Sequence, residues 1–303
     1  MSGPIWRTSR FEVDLARPRV MGIVNVTPDS FSEGGAAMSA AQAIARCEQL
    51  LEQGADILDI GGESSRPGAL AVSADEELAR VRPVLAAAVG LGCPISIDTT
   101  KVDVMRAALD LGVDIVNDIA ALRAPGALGL VAAHGRCGVC LMHMHGTPRS
   151  MQSEANYDDV AVEVAAFLGE RIEAALGAGI QRERIVVDPG IGFGKNPAQN
   201  LELLAHQDAI VALGVPVLVG WSRKSTLARL AGLAAKAPAG RSPAEQGRLV
   251  AASVVAAVIS VQRGARIVRV HDVAATVAGL AVWAAASGAD NRADLSSPRA
   301  STP

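Results

Sequence analysis

Polar side chains recur where short apolar runs end. Asn25 lies near the end of VMGIVNV, Asp59 in ADILDIG, Asp98 at the end of CPISID and Asn117 in VDIVND. Further on come Met142 and His143 in GVCLMHM, Asp188 in RIVVDPG, Ser222 and Lys224 just after VPVLVGW, and Arg269 and His271 in ARIVRVH. Together they supply anionic acceptors, amides that donate and accept, and cations. That is equipment for gripping a polar, charged small molecule. A fold that needed only stability would not require it at the end of every run. Asp29, Ser39 and Ser73 read instead as cap or turn residues.

Two other signals are weaker. Cys137-Gly-Val-Cys140, with His134, His143 and His145 nearby, superficially resembles a zinc or redox pair, but a second CxxC is absent. If Val139 to Met142 is a strand, Cys140 is locked in a sheet and Cys137 precedes it, so chelation would disrupt the strand. GIGFGK resembles a phosphate loop, yet Pro189 and Asn196 stand where Walker A needs its first Gly and its hydroxyl. Nucleotide hydrolysis is not supported.

The eight apolar runs are each followed by a stretch of helical character. Ala41, Ile44, Ala45 and Leu51, or Leu78, Val81, Leu85 and Val89, show the three- and four-residue spacing of a helix face. Near-continuous apolar strands alternating with helices imply a parallel sheet covered by helices, and eight repeats close most simply into a (β/α)8 TIM barrel. In such a barrel catalytic groups lie at the carboxyl ends of the strands, where the polar set above falls. We read one barrel domain over residues 19–288, a short N-terminal extension over 1–18 and a flexible Asp/Ser/Pro-rich tail over 289–303.

Composition narrows the function further. The 303 residues carry 28 Lys+Arg against 31 Asp+Glu, a net charge of −3, and 3% aromatics. No basic stripe and no base-stacking platform is indicated, so no nucleic-acid partner is expected. At 50% apolar the chain is too hydrophobic to be disordered. The longest aliphatic-rich stretch, Leu249 to Val261, is short for a membrane span and holds two serines, so no membrane anchor is expected. The N-terminus lacks the apolar core of a secretory signal. Four cysteines are no disulfide framework, and a cytoplasmic location is the natural expectation.

The blocks MGIVNVTPDSFSEGG (21–35), DIGGESSRPGA (59–69), ISIDTTK (95–101), IVNDI (115–119), LMHMHGTPRSMQ (141–152), DPGIGFGKN (188–196), LVGWSRKS (218–225) and IVRVHDV (267–273) resemble the dihydropteroate synthase family, in order, from Val20 to about Trp283. The resemblance implies a folate-pathway transferase that joins p-aminobenzoate to 6-hydroxymethyl-7,8-dihydropterin diphosphate, forming 7,8-dihydropteroate and pyrophosphate. A reduced pterin presents a flat edge of donors and acceptors. Asp98, Asn117, Asp188 and Lys224, with Met142, are the expected pterin pocket. Asp188 would accept from the amino-pyrimidine edge, and Lys224 would bind O4 and N5.

The diphosphate is assigned to Asn25, Ser65, Arg66, Arg269 and His271. Arg269 and His271, two apart on a strand, share a side and form an anion clamp. Asn25 resembles the family's Mg²⁺ contact, and Ser65 stands where Thr is common. The resemblance further implies a p-aminobenzoate pocket of Phe31, Arg66, Pro67, Phe193 and Ser222, with the ring between Phe193 and Pro67. Arg66, Lys224, Arg269 and His271 are the expected catalytic set. They would act on a displacement at the pterin methylene with substantial bond breaking before the amine attacks. No Ser-His-Asp or Cys-His arrangement is needed. A homodimer is implied, with Leu249 to Val261 a candidate interface.

Two departures from the family pattern stand out. IAALR (119–123) replaces a segment often containing Ser-Gly, and Ser225-Thr226-Leu227-Ala228 replaces Ser-Phe-Ile-Gly, which puts in doubt the local shape of the fourth loop and the start of the seventh barrel helix. Two other readings stay open: a methyltetrahydrofolate methyltransferase, which would need no diphosphate clamp, and a non-catalytic pterin-binding or scaffold protein.

Overall fold

The structure is a computed structural model that describes residues 4–27, 39–66, 68–147, 150–151, 156–235, 237 and 240–288. Phe31, Pro67 and the tail from residue 289 lie outside the described residues. Strands β1 (Ile5–Arg7) and β2 (Glu12–Asp14) form an antiparallel hairpin. The main sheet consists of β3 (Arg19–Asn25), β4 (Ile57–Gly61), β5 (Ile95–Asp98), β6 (Ile115–Asp118), β7 (Gly138–Met142), β8 (Ile185–Asp188), β9 (Leu218–Val219) and β10 (Ile267–Val270). All their pairings are parallel, in the order β8-β7-β6-β5-β4-β3-β10-β9, and a parallel bridge from Val187 to Val217 closes the ring. The eight apolar runs thus make a (β/α)8 barrel.

The surrounding helices are α1 (Ala40–Glu52), α2 (Ala74–Ala88), α3 (Val102–Asp110), α4 (Ala127–His134), α5 (Val160–Gly177), α6 (Pro197–Ala205), α7 (Asp208–Val211), α8 (Ser225–Leu230), α9 (Pro243–Gln262) and α10 (Val273–Ala286). Local chemistry fixes their starts. Ser39 and Ser73 are N-caps, accepting from the Gln42 and Glu76 backbone N–H groups. Ser242 and Glu245 form a capping box on α9, with Pro243 in the first turn. By length and composition α9 is apolar enough to cross a membrane, yet it buries Leu249, Ala256, Ala257 and Val261 within the barrel's packing. Its Ser253 and Ser260 hydroxyls donate to the Leu249 and Ala256 carbonyls.

The lower end of the barrel is plugged. Trp6, Val13 and Leu15 pack against Met21, Ile57, Ile115, Cys140, Val186, Leu218 and Ile267, and Trp6 Nε1 donates to the Arg184 carbonyl at 3.0 Å. Cys140 lies in β7 and Cys137 just before it, both buried. The Cys137 carbonyl accepts from Arg184 Nε at 2.8 Å, and no metal-binding cluster of His, Cys, Asp or Glu occurs among the described residues. Both cysteines thus pack within the hydrophobic core.

Register places the polar set at the open end. Asn25 stands opposite Gly61, Gly61 opposite Asp98, Asp98 opposite Asn117, and Met142 opposite Asp188. Asp59 is two residues before Gly61, so strand periodicity turns both to the same face.

Candidate active site

Arg269 starts low on β10, paired with Met21, and its long side chain rises into the mouth. There Nε donates to Asp59 Oδ2 at 2.5 Å and a terminal nitrogen donates to Asp98 Oδ2 at 2.6 Å. Asn117 Nδ2 donates to the same Asp59 oxygen at 3.1 Å. Asp59 is fully buried, and among the described residues its Oδ1 has no hydrogen-bond partner. Burial alone would lower the Arg269 pKa, but Asp59 and Asp98 outweigh it and raise it. Burial pushes Asp98 up to about 7, with Arg269 opposing.

Asp188 ends β8. Its Oδ1 accepts from the Gly190 N–H at 2.7 Å, and burial raises its pKa. Gly190 has φ +68°, and a Cβ there would lie 1.9 Å from the His143 carbonyl oxygen, so the turn that caps Asp188 requires glycine. Lys224 heads α8, but its ammonium turns inward and rests 4.2 Å from the Phe193 ring centroid, a cation–π contact. Burial pushes it down to about 8, with Arg269 adding to the effect. Asp98, Asn117, Met142, Asp188, Phe193, Lys224, Arg269 and Ser65 line one pocket at the mouth. Phe193 itself packs with Ile119, Met142, Met144 and Met151.

The remaining expected residues flank this pocket. The Ser222 hydroxyl lies 3.0 Å from His271 Nδ1 and accepts from the His271 N–H at 3.1 Å. Burial, reinforced by Arg223, Arg269, Arg66 and Lys224, lowers His271 well below its usual value, so the imidazole is neutral. Arg223, with φ +59°, turns the chain after β9 and pairs with Asp272 at 2.5 Å. Arg66 is exposed on the second loop, close enough to depress both Lys224 and His271. That loop is moored: Glu63 accepts from the Val72 N–H at 3.0 Å and from Lys101 Nζ at 2.5 Å, and Lys101 also pairs with buried Glu77. Asn25 is half-buried at the end of β3.

The structure corrects several expectations. Arg269 and His271 do not stand together as a ready clamp: the guanidinium is drawn to two carboxylates, because a buried cation needs counter-charge, while His271 is held neutral against Ser222. Ser222 spends its hydroxyl on His271, and α8 behind it is only 6 residues long. In the fourth loop Ala121 and Leu122 take left-handed φ of 53° and 55°, held by Asp118 accepting from the Ala120 and Leu122 N–H groups at 2.7 Å.

Sequence reasoning placed Asp59 and His143 in the polar rim set without naming a partner for either, and gave no role to Glu63, Lys101, Glu77 or Lys195. A charged residue inside ILDIG was the available signal for Asp59, since a carboxylate with apolar neighbours on both sides is costly to bury unpaired.

The chain is similar to known proteins in both sequence and fold. The family model described as pterin binding enzyme matches residues 21–271. The chain is 51% identical over 290 residues to dihydropteroate synthase of Neisseria meningitidis serogroup B, covering 94% of this chain and 98% of that one. It superposes on Xanthomonas albilineans dihydropteroate synthase with 4-aminobenzoic acid at TM-score 0.84 and 49% identity, covering 94% of this chain and 98% of that one. The same Xanthomonas enzyme in complex with 7,8-dihydropteroate gives TM-score 0.82 at 48% identity, covering 94% and 99%.

Proposed function

This chain belongs to the pterin-binding enzyme family, among the dihydropteroate synthases, and we infer from that premise that it joins p-aminobenzoate to 6-hydroxymethyl-7,8-dihydropterin diphosphate, releasing pyrophosphate and forming 7,8-dihydropteroate for folate biosynthesis. The observation that carries the reading at residue level is the single pocket shared by Asp98, Asn117, Asp188, Lys224 and Arg269.

The pterin edge fits those groups. Asn117 spends its amide nitrogen on Asp59, which leaves its oxygen to accept from a ring N–H. Among the described residues Asp188 Oδ2 takes no hydrogen bond, so it remains available to the amino-pyrimidine edge. Lys224 donates to O4 and N5. As the pterin takes Asp98, Arg269 is released from that carboxylate toward the diphosphate while Asp59 retains its Nε. Arg66 and the His271 imidazole, as a neutral donor, complete the tail site with Ser65. The p-aminobenzoate ring lies against Phe193, with Phe31 and Pro67 as its other contacts and Ser222 near its carboxylate.

In the reaction the methylene C–O bond breaks and the diphosphate keeps the electron pair. The amine nitrogen forms the new C–N bond and then loses a proton to solvent. The electron-rich pterin ring stabilises positive charge at the methylene, and the cations of the tail site take up the negative charge. Among the described residues, the Asn25 side chain has no hydrogen-bond partner and no cluster of carboxylates surrounds it. One neutral protein oxygen fits Mg²⁺ only if diphosphate oxygens and water supply its other ligands. Bound so, Mg²⁺ would offset charge on the leaving group.

Exposed Val255 on α9 and Val282 on the adjacent α10 support a homodimer through this side of the barrel. Four buried free thiols fit a cytoplasmic, reducing location. The test is detection of dihydropteroate from the two substrates with and without added Mg²⁺. Product that depends on Mg²⁺ supports the full reading. Pyrophosphate-free methyl transfer, or binding without turnover, would favour the methyltransferase or the scaffold instead.

A further inference from the structure

The lysine of GIGFGK is not a phosphate lysine, and the structure gives it another task. Lys195 is buried, 2% exposed, and its stem runs back under the loop that precedes it. Its ammonium has three hydrogens and meets three acceptors: the Gly190 carbonyl at 3.0 Å, the Phe193 carbonyl at 3.0 Å and His143 Nδ1 at 2.9 Å. The His143 ring is held neutral, because burial and Lys195 itself push it down to about 2, so Nδ1 serves as the acceptor.

Burial pushes Lys195 down to about 7, which shows what a cation costs in such a place, and an apolar chain of the same length would fill the space more cheaply. What its N–H donors add is a clamp across a loop with little intrinsic preference. Gly190 and Gly192 both lie at positive φ, and between them and Lys195 the chain must present Phe193 to the mouth. The far side of the loop is held by the Gly192 N–H donating to Asn200 Oδ1 at 2.8 Å. Among the described residues, the near side is held by Lys195 Nζ on the Gly190 and Phe193 carbonyls. The ring so presented lies beneath Lys224 Nζ.

We propose that Lys195 is a positioning residue for the second substrate: it staples the Gly190–Phe193 loop to His143 and thereby fixes the aromatic wall against which a flat aromatic amine bearing a carboxylate must stack. The proposal rests on the function inferred above and deepens it. Lys195 touches no substrate and acts through Phe193. Its effect therefore falls first on the aromatic substrate, because the pterin edge is read mainly by Asp98, Asn117 and Asp188 on β5, β6 and β8, with Lys224 above the Phe193 ring.

The experiment is a double-mutant cycle of Lys195→Met and Phe193→Ala, read by KM for p-aminobenzoate, kcat, and the dissociation constant for the pterin diphosphate. A displacement of about 1 Å can cost up to about a hundredfold. We expect KM for p-aminobenzoate to rise about tenfold in K195M, with pterin diphosphate affinity changed by less than about twofold, and K195M to add less than about twofold in the F193A background. A wild-type KM in K195M, parallel losses for both substrates, or a full tenfold effect without the Phe193 ring would each overturn it. If K195M does not fold, His143→Leu removes one of the three acceptors in its place. It should raise the same KM about threefold, and only when Phe193 is present. An unchanged KM in H143L would then overturn the proposal. Wild-type protein that forms no dihydropteroate would defeat the underlying function. Normal wild-type turnover with a normal K195M would defeat the staple alone.

Discussion

Replacing Asp59 by Asn tests whether one buried carboxylate organises the mouth. The side chain keeps its shape and loses its charge. Asp59 Oδ2 receives Arg269 Nε at 2.5 Å and Asn117 Nδ2 at 3.1 Å. Removing one partner of a buried ion pair costs about 3–5 kcal/mol, and a hydrogen bond to a charged group contributes about 1.5–3 kcal/mol. Arg269 keeps Asp98 as a second carboxylate, and its side chain is 19% exposed, so the lower end applies. The expected loss is about 2 kcal/mol, or about 4–8 °C in Tm for a domain of this size. Asn117 also loses the acceptor that fixes which amide atom faces the ligand, so pterin diphosphate affinity should fall about tenfold, or about 1.4 kcal/mol. Thermal unfolding and titration calorimetry measure the two effects. A D59N protein with the Tm and the affinity of the wild type would refute the reasoning.

Other perturbations have distinct signs. Asp98 is held up to about 7 and Lys224 down to about 8, so in the free enzyme the acceptor is lost below that range and the cation above it. The kcat/KM for pterin diphosphate should peak between these values, and a profile flat from about pH 6 to 9 would contradict the assignment. For stability, folded Asp98 takes up a proton that the unfolded carboxylate releases near 3.8, so its contribution favours folding toward acid and is lost as pH rises through about 7. Lys224→Ala should weaken pterin binding, whereas Arg66→Ala should chiefly lower kcat; single-turnover kinetics separate them. Trp6→Ala should cost about 3–5 kcal/mol of stability by emptying the base plug and leave both KM values unchanged, as unfolding and steady-state assays would show.

The barrel was legible because its signal is local. Each strand is an apolar run, and the helix starts carry their own chemistry at Ser39, Ser73 and Ser242. That Asp98, Asn117, Asp188 and Lys224 share one rim was legible because polar residues at strand ends come together once the strands are in register. Side-chain pairing was not. Periodicity placed Arg269 near His271, but the choice of Asp59 and Asp98 as its partners depends on residues 210 and 171 positions away. The same holds for Lys101 with Glu63 and Glu77, and for Lys195 with His143. In each case burial makes counter-charge or acceptors obligatory, and only the closed barrel decides which are within reach. The fourth loop was unreadable for another reason: left-handed Ala121 and Leu122 are imposed by Asp118, against their own preference.

The central claim is that the edge of a reduced pterin docks on Asp188 at the mouth of this barrel. Titration of 6-hydroxymethyl-7,8-dihydropterin diphosphate into wild-type protein and Asp188→Asn addresses it directly. Hydrogen bonds to a charged acceptor contribute about 1.5–3 kcal/mol, so the variant should bind about a hundredfold more weakly while its unfolding midpoint stays close to that of the wild type. An Asp188→Asn protein that binds the pterin diphosphate as tightly as the wild type would contradict the account.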